Sequence, residues 1–219
     1  MSDFEVTVAQ EKHLQFAEAI AAEMAESAKA RGTGIAKRSP EYLKNKINEG
    51  KAVIAIHKKT GNVAGFCYVE SWGHNDYVAN SGLIVFPEYR KFGLATLIKE
   101  RAFKLSRKLF PKAKLFGLTT SLAVMKINSD LGYHPVTFSE LTDDDAFWKG
   151  CQSCVNYEIL QSKDRKNCLC TGMLYDAEEK KKKKWNYKAA EAILKRLKRI
   201  KENTFILTFS RLLKLNYGK

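Results

Sequence analysis

An α/β fold is what this sequence predicts, on three observations. Short apolar runs of strand length alternate with runs of helical periodicity. Apolar residues make up 45% and charged residues 28% of 219 positions, enough to bury a core. No segment approaches the roughly 20 consecutive apolar residues that span a bilayer. The start, Met1-Ser2-Asp3-Phe4-Glu5, lacks a basic region followed by an apolar run. With five cysteines and no export signal of that kind, a cytoplasmic protein with free thiols is expected.

The elements follow in order. Phe4 to Val8 alternates as a strand. Glu11 to Lys29, rich in Ala, Glu and Lys, reads as a helix broken at Gly32 and Gly34. Ser39-Pro40-Glu41 is a helix start, with Ser as cap and Pro in the first turn, and that helix runs to Asn48. Ala52 to His57 and Val63 to Ser71 form a hairpin around Thr60-Gly61-Asn62. Tyr77 to Phe86 is a third strand. Leu94 to Leu109 is a helix with Leu94, Leu97, Ile98, Ala102 and Leu105 on one face. Leu115 to Thr120 is a buried strand, and Leu122 to Leu131 a helix stopped by Gly132. Ser153 to Leu160 and Cys168 to Tyr175 read as a last hairpin about Ser162 to Asn167.

The informative stretch is Leu83-Ile84-Val85-Phe86-Pro87-Glu88-Tyr89-Arg90-Lys91-Phe92-Gly93-Leu94-Ala95. An apolar strand ends at a proline, and a short loop enters a helix through Arg-x-x-Gly-x-Ala. The first N–H groups of a helix are unpaired and its dipole is positive there, so the loop is built for an anion. Gly93 allows close approach of a diphosphate, Ala95 is small enough to continue it, and Arg90 and Lys91 can add charge-assisted contacts. Here the sequence resembles the GNAT superfamily of N-acetyltransferases, over roughly Phe4 to Tyr175. The resemblance implies the GNAT fold, a mixed, mostly antiparallel sheet splayed at its centre between the Tyr77–Phe86 and Leu115–Thr120 strands. It implies an acyl-coenzyme A co-substrate, acetyl-CoA or another, without a metal. Pantetheine would lie on the backbone of Leu83, Ile84 and Val85, and the pyrophosphate on Arg90, Lys91, Phe92, Gly93, Leu94 and Ala95.

Two more strings resemble the acetyltransferase domain of N-acetylglutamate synthases. They are Gly34-Ile35-Ala36-Lys37-Arg38-Ser39, and Leu118-Thr119-Thr120 followed by Gly132-Tyr133-His134-Pro135-Val136. They imply acetyl transfer to the α-amino group of glutamate, as in the first step of arginine biosynthesis, with Lys37, Arg38, Thr119 and Thr120 at the acceptor. Arg38 has the planar fork that suits a carboxylate. The rival expectations are an enzyme of this fold acting on a protein N-terminus, a lysine or a small amine, and a non-catalytic acyl-CoA-binding module.

The usual acid and base of these families are missing. Many GNAT enzymes place a Tyr, as general acid on the thiolate, where this chain has Asn128. The early strand carboxylate of the synthases falls on Ala79. Glu70, His74 and Asp76 lie near the expected splay, and Glu70 is the expected base.

Cys151-x-x-Cys154 and Cys168-x-Cys170 resemble zinc half-sites. In the expected hairpin Cys170 would pair near Glu158, leaving Cys154 about 13 Å away along the ladder, so reduced structural cysteines are expected and no metal. Cys67, in a strand, reads as core.

The net charge is +14, but residues 180 to 219 hold 14 Lys and Arg against Glu191 and Glu202. The first 179 residues carry 24 basic and 22 acidic groups. Residues 1–176 therefore read as the acyltransferase domain and 177–219 as a basic, partly helical extension. Lys180 to Lys184, the amphipathic spacing of Ala189, Ile193, Leu197 and Ile200, and the apolar residues from Phe205 to Leu213 suit an acidic partner, nucleic acid, a membrane surface or a second copy.

Overall fold

The computed structural model describes residues 3–32, 38–179, 191–193 and 195–199. The chain divides into two units, Met1–Asp176 and Ala177–Lys219. In the second, residues 177–179, 191–193 and 195–199 are helical, and Lys195 pairs with Glu191 at 3.3 Å. The lysine run and the apolar segment after residue 200 lie outside the described residues. Among the described residues no helix is long and apolar enough to cross a membrane.

The first unit is a seven-stranded mixed sheet of order β1-β2-β3-β4-β5-β7-β6. Its strands are β1 (Phe4–Val8), β2 (Ala52–His57), β3 (Val63–Trp72), β4 (Tyr77–Val85), β5 (Lys114–Thr119), β6 (His134–Val136) and β7 (Thr171–Tyr175). All neighbours are antiparallel except β4 and β5. Those two pair in parallel only from Tyr77 opposite Lys114 to Ala79 opposite Phe116, and then part. The sheet is therefore splayed at its centre, as in the GNAT fold.

Period-two alternation sends adjacent residues to opposite faces. Helix α3 (Leu94–Leu109) covers one face, setting Leu94, Ile98, Ala102 and Leu105 on Val53, Cys67 and Val69. Helices α1 (Ala17–Arg31) and α2 (Pro40–Asn48) cover the other, setting Ile20, Met24, Leu43 and Ile47 on Ile54, Phe66 and Tyr68. Ser39 Oγ caps α2 by accepting from Tyr42 N at 3.2 Å, and Gly32 ends α1 in the left-handed conformation. A third cluster joins Phe116, Trp148, Leu160 and Leu174 beyond the splay. Its helices are α5 (Asp145–Lys149) and α6 (Tyr157–Ser162), whereas Met125 of α4 (Leu122–Asp130) packs on the α3 side.

Three expectations are corrected. Residues Glu11–Phe16 form a 3-10 turn, and the α-helix starts only at Ala17. Leu97 is 40% exposed, and Lys99 points into the protein in its place. Ser153 to Leu160 is not a strand: Gly150–Ser153 is a 3-10 turn and Tyr157–Ser162 is helical. The alternation of Val155, Tyr157 and Ile159 misleads because Val155 is 72% exposed, while Leu160, one helical turn from Tyr157, is buried. The partner of β7 is instead β6, from the Gly-Tyr-His-Pro-Val string, with Pro135 opposite Met173. Proline lacks the donor a central strand needs, and β6 is the edge of the sheet.

A bulge fixes β4 beside the splay. Phe66 faces Ile84 but Tyr68 faces Ser81, so β4 carries one extra residue across Gly82 and Leu83. Gly82 sits at φ +63°, and a Cβ there would lie 2.6 Å from Tyr68 Cε1 and 2.8 Å from Met24 Cε. Gly82→Ala combines left-handed strain with overpacking, so a loss of about 2–4 kcal/mol is expected. The denaturant midpoint measures it; an unchanged midpoint would mean the bulge relaxes without cost.

Candidate active site

At the entrance to α3 the backbone is left open. Lys91 has φ +70° and Gly93 φ +72°. Between them they turn the chain so that the N–H groups of Lys91, Phe92, Gly93, Leu94 and Ala95 make no hydrogen bond among the described residues. Alternation of left- and right-handed residues with unpaired N–H groups at a helix start is an anion nest. No side chain caps this helix. Lys91 and Phe92 are exposed beside it. Arg90 is committed to holding the loop. Its Nε donates to Val85 O at 3.0 Å, and Nη2 to Glu23 Oε1 at 2.9 Å and Ser27 Oγ at 3.2 Å. It fastens α1 to the end of β4.

From this loop β4 leads back to the splay, where a cavity of about 280 Å³ opens. Asn80, Ser81, Gly82 and Leu83 line one side and Gly117 to Ser121 the other. Ile84 is buried behind it, and Val85 lies opposite Gly65. Thr119 and Thr120 both line the cavity, and Thr119 Oγ1 accepts from Ser121 N at 3.0 Å.

Arg38 also lines it. Its Nε donates to Tyr68 Oη at 2.8 Å, and its guanidinium lies 5.1 Å from the centre of the Tyr42 ring. Tyr42 Oη donates to Glu70, which also accepts from Lys46 Nζ at 2.9 Å. The order Arg38, Tyr68, Tyr42, Glu70, Lys46 is a polar chain on the α1–α2 face. Burial raises the hydroxyl pKa of both tyrosines, so they remain protonated. Glu70 reaches the cavity only through this chain, because it is not itself a lining residue. Lys37 lies outside the described residues. His74 occupies the β3–β4 turn at φ +55°.

Asn128 is buried on α4 but does not line the cavity. Its Nδ2 donates to Met173 Sδ at 3.7 Å, and its Oδ1 has no partner among the described residues. A neutral amide holds no transferable proton at physiological pH, so Asn128 cannot replace a tyrosine as acid.

Two features escaped the sequence. Tyr42 and Lys46 stand four apart on α2, a spacing that places them on one face. Lys99 is 2% exposed and lines the cavity from α3. It lies three residues before Ala102, on the buried stripe, and that spacing was the available signal.

The four late cysteines also gather here. Cys151, Cys154, Cys168 and Cys170 all line the cavity, because α6 replaces the expected strand and folds the first pair back towards the second. They are free thiols. Among the described residues no group of three or more His, Cys, Asp or Glu side chains is arranged to hold a metal ion.

No protein-family model matches the chain, and no curated protein matches it. Solved structures do. N-acetylglutamate synthase from Neisseria gonorrhoeae, complexed with coenzyme A and N-acetyl-glutamate, superposes with TM-score 0.56 at 18% identity, over 80% of this chain and 35% of that one. A Mycobacterium tuberculosis protein in complex with CoA gives TM-score 0.55 at 16% identity, over 78% and 98%. A Salmonella typhimurium protein assigned as an acetyltransferase, with its cofactor acetyl-CoA, gives 0.52 at 14%, over 80% and 94%. This chain thus spans about a third of the gonococcal chain. The shared feature is the fold, that of the GNAT acetyltransferases.

The thiols give a pH prediction. Burial, then the neighbouring sulfurs, push Cys151 up to about 11 and Cys170 up to about 12. The thiolate is the reactive form, and an ordinary thiol titrates near pH 8.5. Alkylation of Cys151 and Cys170, followed by peptide mass spectrometry, should therefore still accelerate about tenfold per pH unit from pH 9 to 10. A plateau by pH 9 would place both thiols in water.

Proposed function

We propose that residues 1–176 are an acyl-CoA-dependent N-acyltransferase domain, with 177–219 as its basic extension. The observation that carries this is the run of five unbonded N–H groups from Lys91 to Ala95, standing where the strand bordering the splay ends. A diphosphate would complete those donors, with Lys91 adding charge. Pantetheine would extend along Leu83, Ile84 and Val85, pairing with backbone that β5 leaves open. The structural neighbours crystallised with CoA or acetyl-CoA support the same co-substrate.

The reaction is a direct displacement. An amine attacks the thioester carbon, a C–N bond forms and the C–S bond breaks. The amine loses a proton and the departing thiolate gains one. Backbone N–H groups beside the Gly82 bulge polarise the thioester carbonyl. Glu70 accepts the proton through Tyr68 and Tyr42, and Lys46 holds that carboxylate in place. Most of the acceleration comes from holding amine and thioester together. No acid is supplied by Asn128.

For the acceptor we favour an amino acid, glutamate first, with Arg38 binding a carboxylate and Thr119 and Thr120 bordering the pocket. The likeness to the gonococcal synthase and the position of Arg38 in the cavity support this. Lys37 keeps its sequence-based assignment beside Arg38. The free thiols support a cytoplasmic setting.

Coenzyme A should raise the melting temperature, and Gly93→Asp should abolish the shift. At φ +72° Asp carries left-handed strain, but no described atom lies within 4 Å of a Cβ at Gly93, so the added side chain itself meets solvent, or phosphate when CoA is bound. An undiminished shift in folded Gly93→Asp would remove the loop from the site.

Thiol release with an amine panel tests the acceptor. Arg38→Ala should lower kcat/KM for glutamate by roughly 10- to 150-fold, the loss expected for a charged hydrogen bond, with KM for acyl-CoA nearly unchanged. Lysine should rescue only in part, since it lacks the planar fork. Release with a peptide or polyamine and with no amino acid would reassign the acceptor.

A further inference from the structure

Lys99 is a buried lysine with no carboxylate beside it among the described residues. Its Nζ is buried, donates to Asn80 O at 3.4 Å, and lies 5.8 Å from the centre of the Tyr133 ring. Among the described residues no carboxylate pairs with it; the titratable neighbour that acts on it is the Cys67 thiol. Buried ammonium groups are ordinarily paired, because removing such a charge from water costs several kcal/mol. Burial accordingly lowers its pKa.

Its position is informative. Val69 directs its N–H to Lys51 O on the β2 side, and Val69 stands opposite Asn80. In an antiparallel pair of that kind the opposite residue turns its own N–H and C=O the other way. Asn80 O therefore points at β5, at the level where β5 has just parted from β4. Lys99 reaches this carbonyl from α3. Arg38, hydrogen-bonded to Tyr68 on the α1–α2 face, lines the same cavity. The cavity thus has one basic side chain from each face of the sheet.

We propose that Lys99 receives the carboxylate of an acyl donor whose acyl chain ends in a carboxylate, a dicarboxylic acyl-CoA, while Arg38 serves the acceptor. This rests on the acyl-transfer reading above. A carboxylate there would favour the protonated form that burial alone disfavours, so anion and amine would stabilise each other, which a plain methyl cannot do.

Succinyl-CoA and butyryl-CoA have acyl chains of the same carbon count and differ in a terminal carboxylate against a methyl. With wild type, both binding, read as the melting-temperature shift, and kcat/KM for thiol release should favour succinyl-CoA by about 10- to 100-fold. Lys99→Met should abolish that preference and leave coenzyme A itself binding as before, whereas Lys99→Arg should keep part of it. Equal binding of the two donors by wild type, or a preference that survives Lys99→Met, overturns the proposal. So does an equal loss with both donors in Lys99→Met, which would make Lys99 a general contributor to turnover. Absence of thiol release with every donor, with the binding preference intact, would instead count against the transferase reading and leave the carboxylate site standing.

Discussion

The parting of β4 from β5 after Ala79 is the constraint around which the rest of the domain is arranged. A central strand that loses its neighbour exposes a row of peptide groups, and buried peptide groups must find partners. Here one of them, Asn80 O, takes the ammonium of Lys99. The Asn80 side chain is used as well: its Nδ2 donates to Ser106 Oγ at 2.6 Å, and Ser106 in turn donates to Ala102 O on α3. The bulge at Gly82 re-aims what remains of β4, and the aromatic ring of Tyr68 fills the space a side chain there would occupy. Opening the sheet thus sets which residues can stand along both its faces.

The same economy explains Arg90. A loop that must leave five N–H groups open cannot be held by its own backbone, so a side chain holds it from outside. Arg90 bridges Val85 O and Glu23, tying loop, strand and α1 into one unit. As the ion pair is half exposed, its contribution to stability is modest, under about 1 kcal/mol. Its larger effect is to hold the loop and its open N–H groups in one conformation.

Much of this was legible in the sequence where local and tertiary preferences agree. The Ser39-Pro40 start, the apolar stripe of α3 and the strand–proline–glycine–helix order all point one way, and the elements stand where those signals put them. The last third was harder. Val155, Tyr157 and Ile159 have a strand's alternation, but Val155 and Ile159 are exposed, Tyr157 packs against the cluster of Trp148, Phe116 and Leu174, and only Leu160 from that stretch is fully buried. A three-residue strand containing Pro135 carries almost no local signal. Glu70 was visible as a carboxylate near the splay; that Lys46 and Tyr42 enclose it depends on α2 crossing β3, which no spacing in the chain announces. Lys99 was hidden by charge, since a lysine on a helix is read as solvated until the sheet is laid beneath it.

Pro135 has one more effect. The sheet has two outer strands, and they are unlike. On the β6 side the boundary is three residues long with a proline at its middle, so an incoming chain would find one peptide donor missing. On the β1 side the boundary is five residues long and carries no proline, so none of its outward-facing N–H groups is missing. The two edges are therefore unequal: extension beyond Phe4–Val8 meets no missing donor, while extension beyond β6 is disfavoured by Pro135. Edge-to-edge pairing of two copies would therefore favour the β1 side over the β6 side.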